Sequence, residues 1–154
     1  PGGDSPQASR IPEGPVAFRY RTLDDDWQTL GSLRGRVVVV HVFATWSDPS
    51  LVEVPRLAAL TRKYPERLAV VGLSADVEPE ATRVFTEAFD VPYSVGRISD
   101  PTSFMGPDGP FGPIGIIPTT VVLDRSGHIA ARADGMWAQG ALEAVVERLI
   151  RSRS

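Results

Sequence analysis

The chain has 154 residues, of which 42% are hydrophobic and 23% charged, a composition typical of one globular domain with a sizeable buried core. Its net charge of −3 argues against a concentrated basic surface, so no nucleic-acid partner is expected. The sequence has no cysteine and only two histidines. This composition excludes disulfides and thiol chemistry, and we expect neither a metal ion nor a cofactor.

The first part of the chain is predicted to be a loose segment that precedes the folded domain. Residues 1–15 are rich in proline, glycine and serine, so we predict a flexible segment there and a single domain over residues 16–154. This start has no apolar core of the kind a signal peptide needs. No apolar run reaches the roughly 20 residues of a membrane span, so a membrane anchor is expected only in a removed N-terminal segment.

A buried central strand and a following helix are the clearest local signals. A short strand is predicted over VAFRYRTL (16–23), and a turn follows it. RVVVVHVF (36–43) is β-branched or apolar at nearly every position, which predicts a strand buried on both faces. His41 within it is expected to be a hydrogen-bonded core residue. Asp48 and Pro49 are typical of a helix start, and Pro55 should kink that helix.

The rest of the chain alternates between strands and helices around one irregular stretch. In chain order we predict a strand over 68–75, a helix over 78–89, a stretch broken by glycine and proline over 99–117, a strand hairpin over 119–134 and a helix over 140–152. The helix over 78–89 is predicted to present Val84, Phe85, Ala88 and Phe89 on or near one face. Strands joined through helices imply parallel crossovers, so we expect an α/β fold with a mixed sheet of about five strands and helices on both faces.

Three separated segments resemble motifs of the TlpA/ResA/CcmG branch of thioredoxin-like thiol-disulfide oxidoreductases. LRGRVVVVHVFATW (33–46) is similar to that branch's LRGKVVLVNFWATW segment. SDPSLVEVPRL (47–57) is similar to its CxPCxxExPxL segment, with serine at both cysteine positions. GIIPTTVVLDRSGHIAAR (115–132) resembles its cis-proline segment and the hairpin after it. The resemblance runs from about residue 16 to residue 151 and implies a thioredoxin-like fold.

The resemblance assigns redox positions to two serines. In the family, a thiol at a helix N-terminus is stabilised as a thiolate by free N–H groups and the helix dipole. Ser47 and Ser50 take the places of that thiol and its partner, and Glu53 takes the place of a glutamate that manages protons near the buried thiol. Two hydroxyls cannot form or exchange a disulfide, so the chain is expected to be redox-inactive. The serines are either an engineered mimic of the reduced form or a natural loss, and the sequence leaves both open.

The resemblance also implies a groove for an extended protein or peptide substrate. Its predicted members are Trp46, Asp48, Pro49, Ile117 and Pro118, with a cis peptide bond before Pro118. Phe104, Phe111 and Ile114, within or beside the glycine- and proline-rich loop, are hypothesised to flank this groove.

Simpler structural roles compete with the functional ones. Ser47 is a good N-cap residue, and Asp48 suits the positive end of a helix dipole. Glu53 could be a surface carboxylate of an amphipathic helix, and Trp46 a plain core residue instead of a cover over the site.

The sequence therefore predicts a redox-inactive, thioredoxin-like oxidoreductase domain. The alternative is a non-catalytic peptide- or protein-binding module on the same fold, so whether the chain is an enzyme stays open. A peroxiredoxin relative is a third hypothesis, but its peroxidatic cysteine is missing. By resemblance we expect an extracytoplasmic protein, periplasmic or membrane-anchored. The sequence leaves the oligomeric state open, and a monomer is the default expectation.

Overall fold

The computed structural model describes residues 12–152, which form an α/β fold around one seven-stranded sheet. The strands are β1 (Arg19–Thr22), β2 (Trp27–Thr29), β3 (Val37–Phe43), β4 (Leu68–Ser74), β5 (Ser94–Arg97), β6 (Thr119–Leu123) and β7 (Ile129–Asp134). The α-helices are α1 (Asp48–Lys63), α2 (Pro79–Ala88), α3 (Pro101–Phe104) and α4 (Ala141–Arg151), and Leu30–Leu33 form a 3-10 turn. The first eleven residues of the predicted flexible segment lie outside the described residues. The domain boundary therefore stays a prediction.

β3 lies inside the sheet, next to its middle strand, β4. The strand order is β2-β1-β5-β4-β3-β6-β7, with β3 parallel to β4 and antiparallel to β6. All seven residues of β3 are buried, and so are all seven of β4. Continuous β-branched runs suit strands that are covered on both faces, so the prediction for this part of the chain is confirmed.

The sheet is wider than the predicted five strands, because two short strands escaped the sequence analysis. β2 has three residues and β5 has four, too few to show a period of two. Both are held by their neighbours: β2 pairs with β1 in a hairpin, and β5 lies between β1 and β4. Gly96 permits the close approach of β1, because a Cβ there would lie 2.5 Å from the Tyr20 ring.

The three longer helices cover one face of the sheet. Leu57 of α1 and Val146 of α4 pack with Val37 and Val39, and Phe85 of α2 packs with Phe43. These β3 residues alternate with the others and so share a face. The crossovers β3–α1–β4 and β4–α2–β5 advance in the same direction along the sheet, and right-handed connections then place both helices on the same side.

The opposite face is covered mostly by irregular chain, which corrects the prediction of helices on both faces. Leu30 of the 3-10 turn packs there, together with Phe111 and Ile114 from the stretch before β6. Within residues 12–152, the helical structure on this face is confined to that turn and the four-residue α3, whose Phe104 joins the same cluster.

The predicted buried face of α2 is also wrong in part. Phe85 is buried, but Val84 and Phe89 are 56% and 60% exposed, and Ala88 is exposed as well. The second buried position is Thr82, whose hydroxyl bonds to polar groups at the end of β4. The helix therefore docks through a narrow stripe, because polar contacts at its start replace apolar ones.

The predicted hairpin and C-terminal helix are confirmed. β6 and β7 pair antiparallel, and Leu142, Val146 and Ile150 form the buried stripe of α4. Among residues 12–152, no helix has the length and hydropathy needed to cross a membrane.

Candidate functional site

The site begins where β3 ends and α1 starts. Ser47 is the N-cap residue of α1, Asp48 and Pro49 lie in the first turn, and the helix begins at the predicted place. The side chain of Ser47 makes no capping hydrogen bond. Its hydroxyl instead donates to the carbonyl oxygen of Ile117, at 3.5 Å. The N-cap position was thus predicted correctly, but its hydroxyl is turned away from the helix towards the loop before β6.

The loop facing Ser47 carries the Ile117–Pro118 peptide bond, which is cis in the structure. Its backbone is fixed from two sides: the Thr119 hydroxyl donates to the carbonyl of Ile116 at 2.8 Å, and the amide of Gly135 donates to the carbonyl of Pro118 at 2.7 Å. Pro118 is buried and Ile117 half-buried. The loop therefore presents the Ile117 carbonyl to the start of α1.

The two serines differ in their surroundings. Ser47 is nearly buried beside Ile117, whereas Ser50 is fully buried one turn further along α1. The hydroxyl oxygen of Ser50 accepts a weak hydrogen bond, at 3.4 Å, from the amide of Ala44. The arrangement thus places one hydroxyl at the surface loop and the other against the end of β3.

Exposed side chains border the contact between Ser47 and Ile117. Trp46 is 69% exposed, which excludes the alternative of a core tryptophan. Ile116, next to Ile117, is also exposed, and so is Met136, next to the Gly135 that holds the loop. Exposed apolar side chains therefore adjoin Ser47, Ile117 and Gly135 in the sequence.

Glu53 is fully buried, so the alternative of a surface carboxylate is wrong. One carboxyl oxygen, Oε1, lies 3.1 Å from the Thr120 hydroxyl, and the other, Oε2, accepts a hydrogen bond from the Trp137 amide at 2.8 Å. Burial raises the pKa of the Glu53 carboxyl, and the bond from the Trp137 amide and the charge of Arg56 oppose that rise only in part.

His41 is a hydrogen-bonded core residue, as predicted. Its ring is fully buried and stacks on Phe43, with ring centroids 5.5 Å apart. Nδ1 lies 3.1 Å from the Thr120 hydroxyl oxygen, and Nε2 lies 3.3 Å from the carbonyl oxygen of Ser50. Burial lowers the pKa of the imidazole to about 4, while the bond to Ser50 works against that change.

A polar network that the sequence analysis missed braces the turn before α1. The carboxylate of Asp76 accepts hydrogen bonds from the Thr45 amide at 2.9 Å, from the Thr45 hydroxyl at 3.0 Å and from the Thr82 hydroxyl at 2.7 Å. Thr45 follows β3, and Asp76 follows β4. Polar residues just after neighbouring parallel strands were the available signal, because such strand ends meet at one edge of the sheet.

Phe104, Phe111 and Ile114 pack into the core, which contradicts the hypothesis that they flank the groove. Phe111 is fully buried, and Phe104 and Phe111 both meet the ring of Phe18 edge-on. The guanidinium of Arg132 donates to the backbone carbonyls of Phe111 and Pro113, which fastens the loop to β7. These apolar side chains are needed inside, because this segment covers the face that lacks long helices.

No group of three or more histidine, aspartate or glutamate side chains that could hold a metal ion occurs within residues 12–152. The chemistry available at the site is therefore that of two hydroxyls, an imidazole and a buried carboxyl.

The mixed sheet, the helix after β3 and the cis-proline loop facing that helix define a thioredoxin-like domain with serine at both redox positions. The chain is 29% identical over 124 residues to the thioredoxin-like protein YneN of Bacillus subtilis, covering 77% of this chain and 69% of that protein. It is 26% identical over 121 residues to the thiol-disulfide oxidoreductase ResA of Bacillus cereus, covering 78% of this chain and 67% of ResA.

Solved structures share the fold. The crystal structure of a thiol:disulfide interchange protein of the thioredoxin family from Chlorobium tepidum superposes with a TM-score of 0.76 at 22% identity, covering 92% of this chain and 97% of that one. No family model matches the chain. The chain therefore has a thioredoxin-like fold and is similar in sequence to ResA-type thiol-disulfide oxidoreductases. Because it has no cysteine, it cannot carry out dithiol–disulfide exchange.

Proposed function

We propose that this chain is a ResA-like thioredoxin domain without redox activity, which binds an extended segment of a partner protein or peptide non-covalently. The segment would lie in the groove between Trp46 and Ser47 on one side and Ile117 and Pro118 on the other. The observation that carries this proposal is the 3.5 Å contact between the Ser47 hydroxyl and the Ile117 carbonyl, which joins the start of α1 to the cis-proline loop.

Thiol chemistry is excluded by the side chains themselves. A cysteine near pKa 8.5 is brought to roughly 3.5–7.5 by a helix N-terminus or a neighbouring positive charge, which makes the thiolate accessible at neutral pH. A serine hydroxyl is not ionised there. Thiol–disulfide exchange also requires a sulfur to form the mixed disulfide with the substrate. In a cysteine-bearing relative, the thiol at the position of Ser47 would attack the substrate disulfide. The thiol at the position of Ser50 would then resolve the mixed disulfide.

Binding without chemistry needs only the groove, and its features support that role. An extended segment is recognised through its backbone together with pockets for alternate side chains. Ile117 is half-buried, and exposed apolar side chains adjoin it and Ser47 in the sequence, with Trp46 as the largest. Exposed tryptophans are frequent anchors of protein interfaces. Asp48 and Pro49, exposed in the first turn of α1, complete the proposed lining on the helix side.

Restoring the thiols tests the ResA-like assignment. The double variant Ser47→Cys with Ser50→Cys should close a disulfide between the two positions and reduce insulin disulfides in the presence of dithiothreitol. The single variant Ser50→Cys is the matched control, since it has no second thiol with which to close the ring. A folded double variant that forms no such disulfide would refute the assignment.

Peptide selection tests the binding role. Cysteine-free peptides selected from a displayed library on the unaltered chain should lose most of their affinity for Trp46→Ala. They should retain it for Trp27→Ala, which removes an exposed tryptophan from β2, where Arg19 and Arg21 stack on the ring. Equal loss in both variants, or failure to select any peptide, would argue against this groove.

We further propose an extracytoplasmic location and a monomeric state. The location is supported by the resemblance to the TlpA/ResA branch, whose members work mostly outside the cytoplasm. Cell fractionation and analytical ultracentrifugation test the two statements. The source gene separates the two origins of the serines: cysteine codons at positions 47 and 50 identify an altered enzyme, and serine codons favour the binding module.

A further inference from the structure

We propose that His41, Thr120 and Glu53 form one buried, uncharged proton-sharing unit, in which the Glu53 carboxyl donates to the Thr120 hydroxyl and that hydroxyl donates to Nδ1 of a neutral His41. The three residues come from different elements, β3, β6 and α1. This inference rests on hydrogen-bond geometry and does not depend on the proposed binding role.

The atoms form an unbroken chain across the core. Glu53 Oε1 lies 3.1 Å from Thr120 Oγ1, Thr120 Oγ1 lies 3.1 Å from His41 Nδ1, and His41 Nε2 lies 3.3 Å from the Ser50 carbonyl oxygen. All three side chains are fully buried. Buried polar groups of this kind are nearly always hydrogen-bonded, because an unpaired one loses its hydration without compensation.

Counting hydrogens along this chain restricts its protonation states. A carbonyl oxygen only accepts, so the bond to Ser50 requires a hydrogen on His41 Nε2. The Thr120 hydroxyl has one hydrogen and can donate it either to Nδ1 or to the Glu53 carboxyl, not to both. If Nδ1 is bare, the Thr120 hydrogen goes to Nδ1, and Glu53 must then supply the hydrogen between Oε1 and Oγ1.

With the same number of protons, only one other arrangement satisfies every bond. An imidazolium would donate from Nδ1 to Thr120, which would donate to a Glu53 carboxylate. The two arrangements contain the same protons and differ by two coupled shifts, one from Oε1 to Oγ1 and one from Oγ1 to Nδ1. A carboxylate beside a neutral imidazole has one hydrogen too few and loses a bond. The three residues therefore hold this proton jointly, and removing it costs the unit one hydrogen bond.

Burial selects the uncharged arrangement. Burying an imidazolium and a carboxylate away from water costs several kcal/mol per ion before the attraction between them is counted. The directions of the pKa shifts agree: burial raises the pKa of Glu53 and lowers that of His41. Arg56, on the same helix, favours a Glu53 carboxylate, whereas Glu143 of α4 disfavours it. Tyr93, before β5, also faces Glu53: burial raises the pKa of the Tyr93 phenol, and a charge on Glu53 would raise it further.

Nitrogen NMR of the unaltered chain tests the tautomer directly. At pH 7 the His41 ring should show a protonated Nε2 and a bare Nδ1. A ring with both nitrogens protonated, or with the proton on Nδ1 alone, would overturn the proposal. This measurement needs no substitution, so it decides the question even if a core variant does not fold.

The variant His41→Phe then tests the coupling between the two residues through the direction in which the midpoint of Glu53 titration moves. Removing Nδ1 frees the Thr120 hydrogen for the Glu53 carboxylate, so the midpoint of Glu53 titration, followed by carboxyl-carbon NMR, should fall by about one pH unit. If His41 were instead a cation paired with Glu53, its removal would raise the midpoint. Thr120→Ser, which retains the hydroxyl, is the matched control and should leave the midpoint in place. A rise or no change in His41→Phe overturns the proposal.

Discussion

Replacing the buried acid with its uncharged isostere, Glu53→Gln, should reshape the dependence of stability on pH. The amide has the shape of the protonated carboxyl: its nitrogen can donate to Thr120 and its oxygen can accept from the Trp137 amide. The substitution therefore leaves the hydrogen bonds of the neutral state in place and removes only the titration. We expect a folded variant whose stability responds to pH differently from that of the unaltered chain.

The expected profile follows from proton counts in the folded and unfolded states. In the proposed uncharged state the folded chain keeps a proton on Glu53 and none on His41. An unfolded chain between about pH 4.5 and 6.5 holds the reverse, so these two groups then give no slope. Above pH 6.5 the unfolded chain has lost both protons, whereas the proposed folded unit keeps the one on Glu53. Stability then falls by about 1.4 kcal/mol per pH unit until the pH passes the folded pKa of Glu53.

The loss of stability at acid pH has the opposite cause. Below about pH 4.5 the unfolded chain binds protons on both groups, while folded His41 stays neutral until its pKa of about 4. Stability therefore also falls towards acid, and the unaltered chain should show a plateau between the two limits. In Glu53→Gln the plateau moves: stability is flat above pH 6.5 and falls by about 1.4 kcal/mol per unit below it, because His41 now titrates alone.

Urea unfolding at a series of pH values from 5 to 8.5, followed by circular dichroism, measures both profiles. Glu87→Gln is the control, since this carboxylate on α2 is exposed, and the profile should match that of the unaltered chain. Stability of the unaltered chain that rises from pH 6.5 to 8 would refute the reasoning. That result would mean that the folded state favours the Glu53 carboxylate.

Three further substitutions test the packing around the site by urea unfolding. Gly96→Ala places a Cβ 2.5 Å from the Tyr20 ring, and this overpacking should cost about 1–3 kcal/mol; an unchanged midpoint would show that β1 can move. Asp76→Ala leaves the Thr45 amide without its carboxylate partner and should lower the free energy of unfolding by about 2–3 kcal/mol. Unchanged stability would contradict the role of Asp76 in bracing the turn. Phe111→Ala empties a fully buried site and should cost about 3–5 kcal/mol, whereas a loss below 1 kcal/mol would mean that the loop packs loosely.

Local signals were sufficient where one segment determines its own structure. The valine run of β3, the aspartate–proline start of α1, the hairpin of β6 and β7 and the apolar stripe of α4 were all predicted. Each combines a clear period with a recognisable turn or cap. β2 and β5 have neither, since a strand of three or four residues forms only where a neighbour supplies its hydrogen bonds.

The errors share a physical origin in burial that distant residues provide. Val84 and Phe89 have the spacing of a buried face, but α2 meets the sheet through Thr82 and Phe85 instead. Phe111 sits in a segment that resembles an exposed loop, yet it covers a sheet face that no long helix reaches within residues 12–152. Periodicity reports which residues can be buried together and not what is available to bury them.

By itself, the sequence determined what chemistry the chain lacks: with no sulfur at positions 47 and 50, no fold can restore disulfide exchange. Only the tertiary structure decided the state of Glu53, because it brings Thr120 from 67 positions away and sets His41, itself 79 positions from Thr120, beside them. The ionisation of a carboxyl depends on the water it loses and the partners it gains, and both are supplied by parts of the chain far apart in sequence.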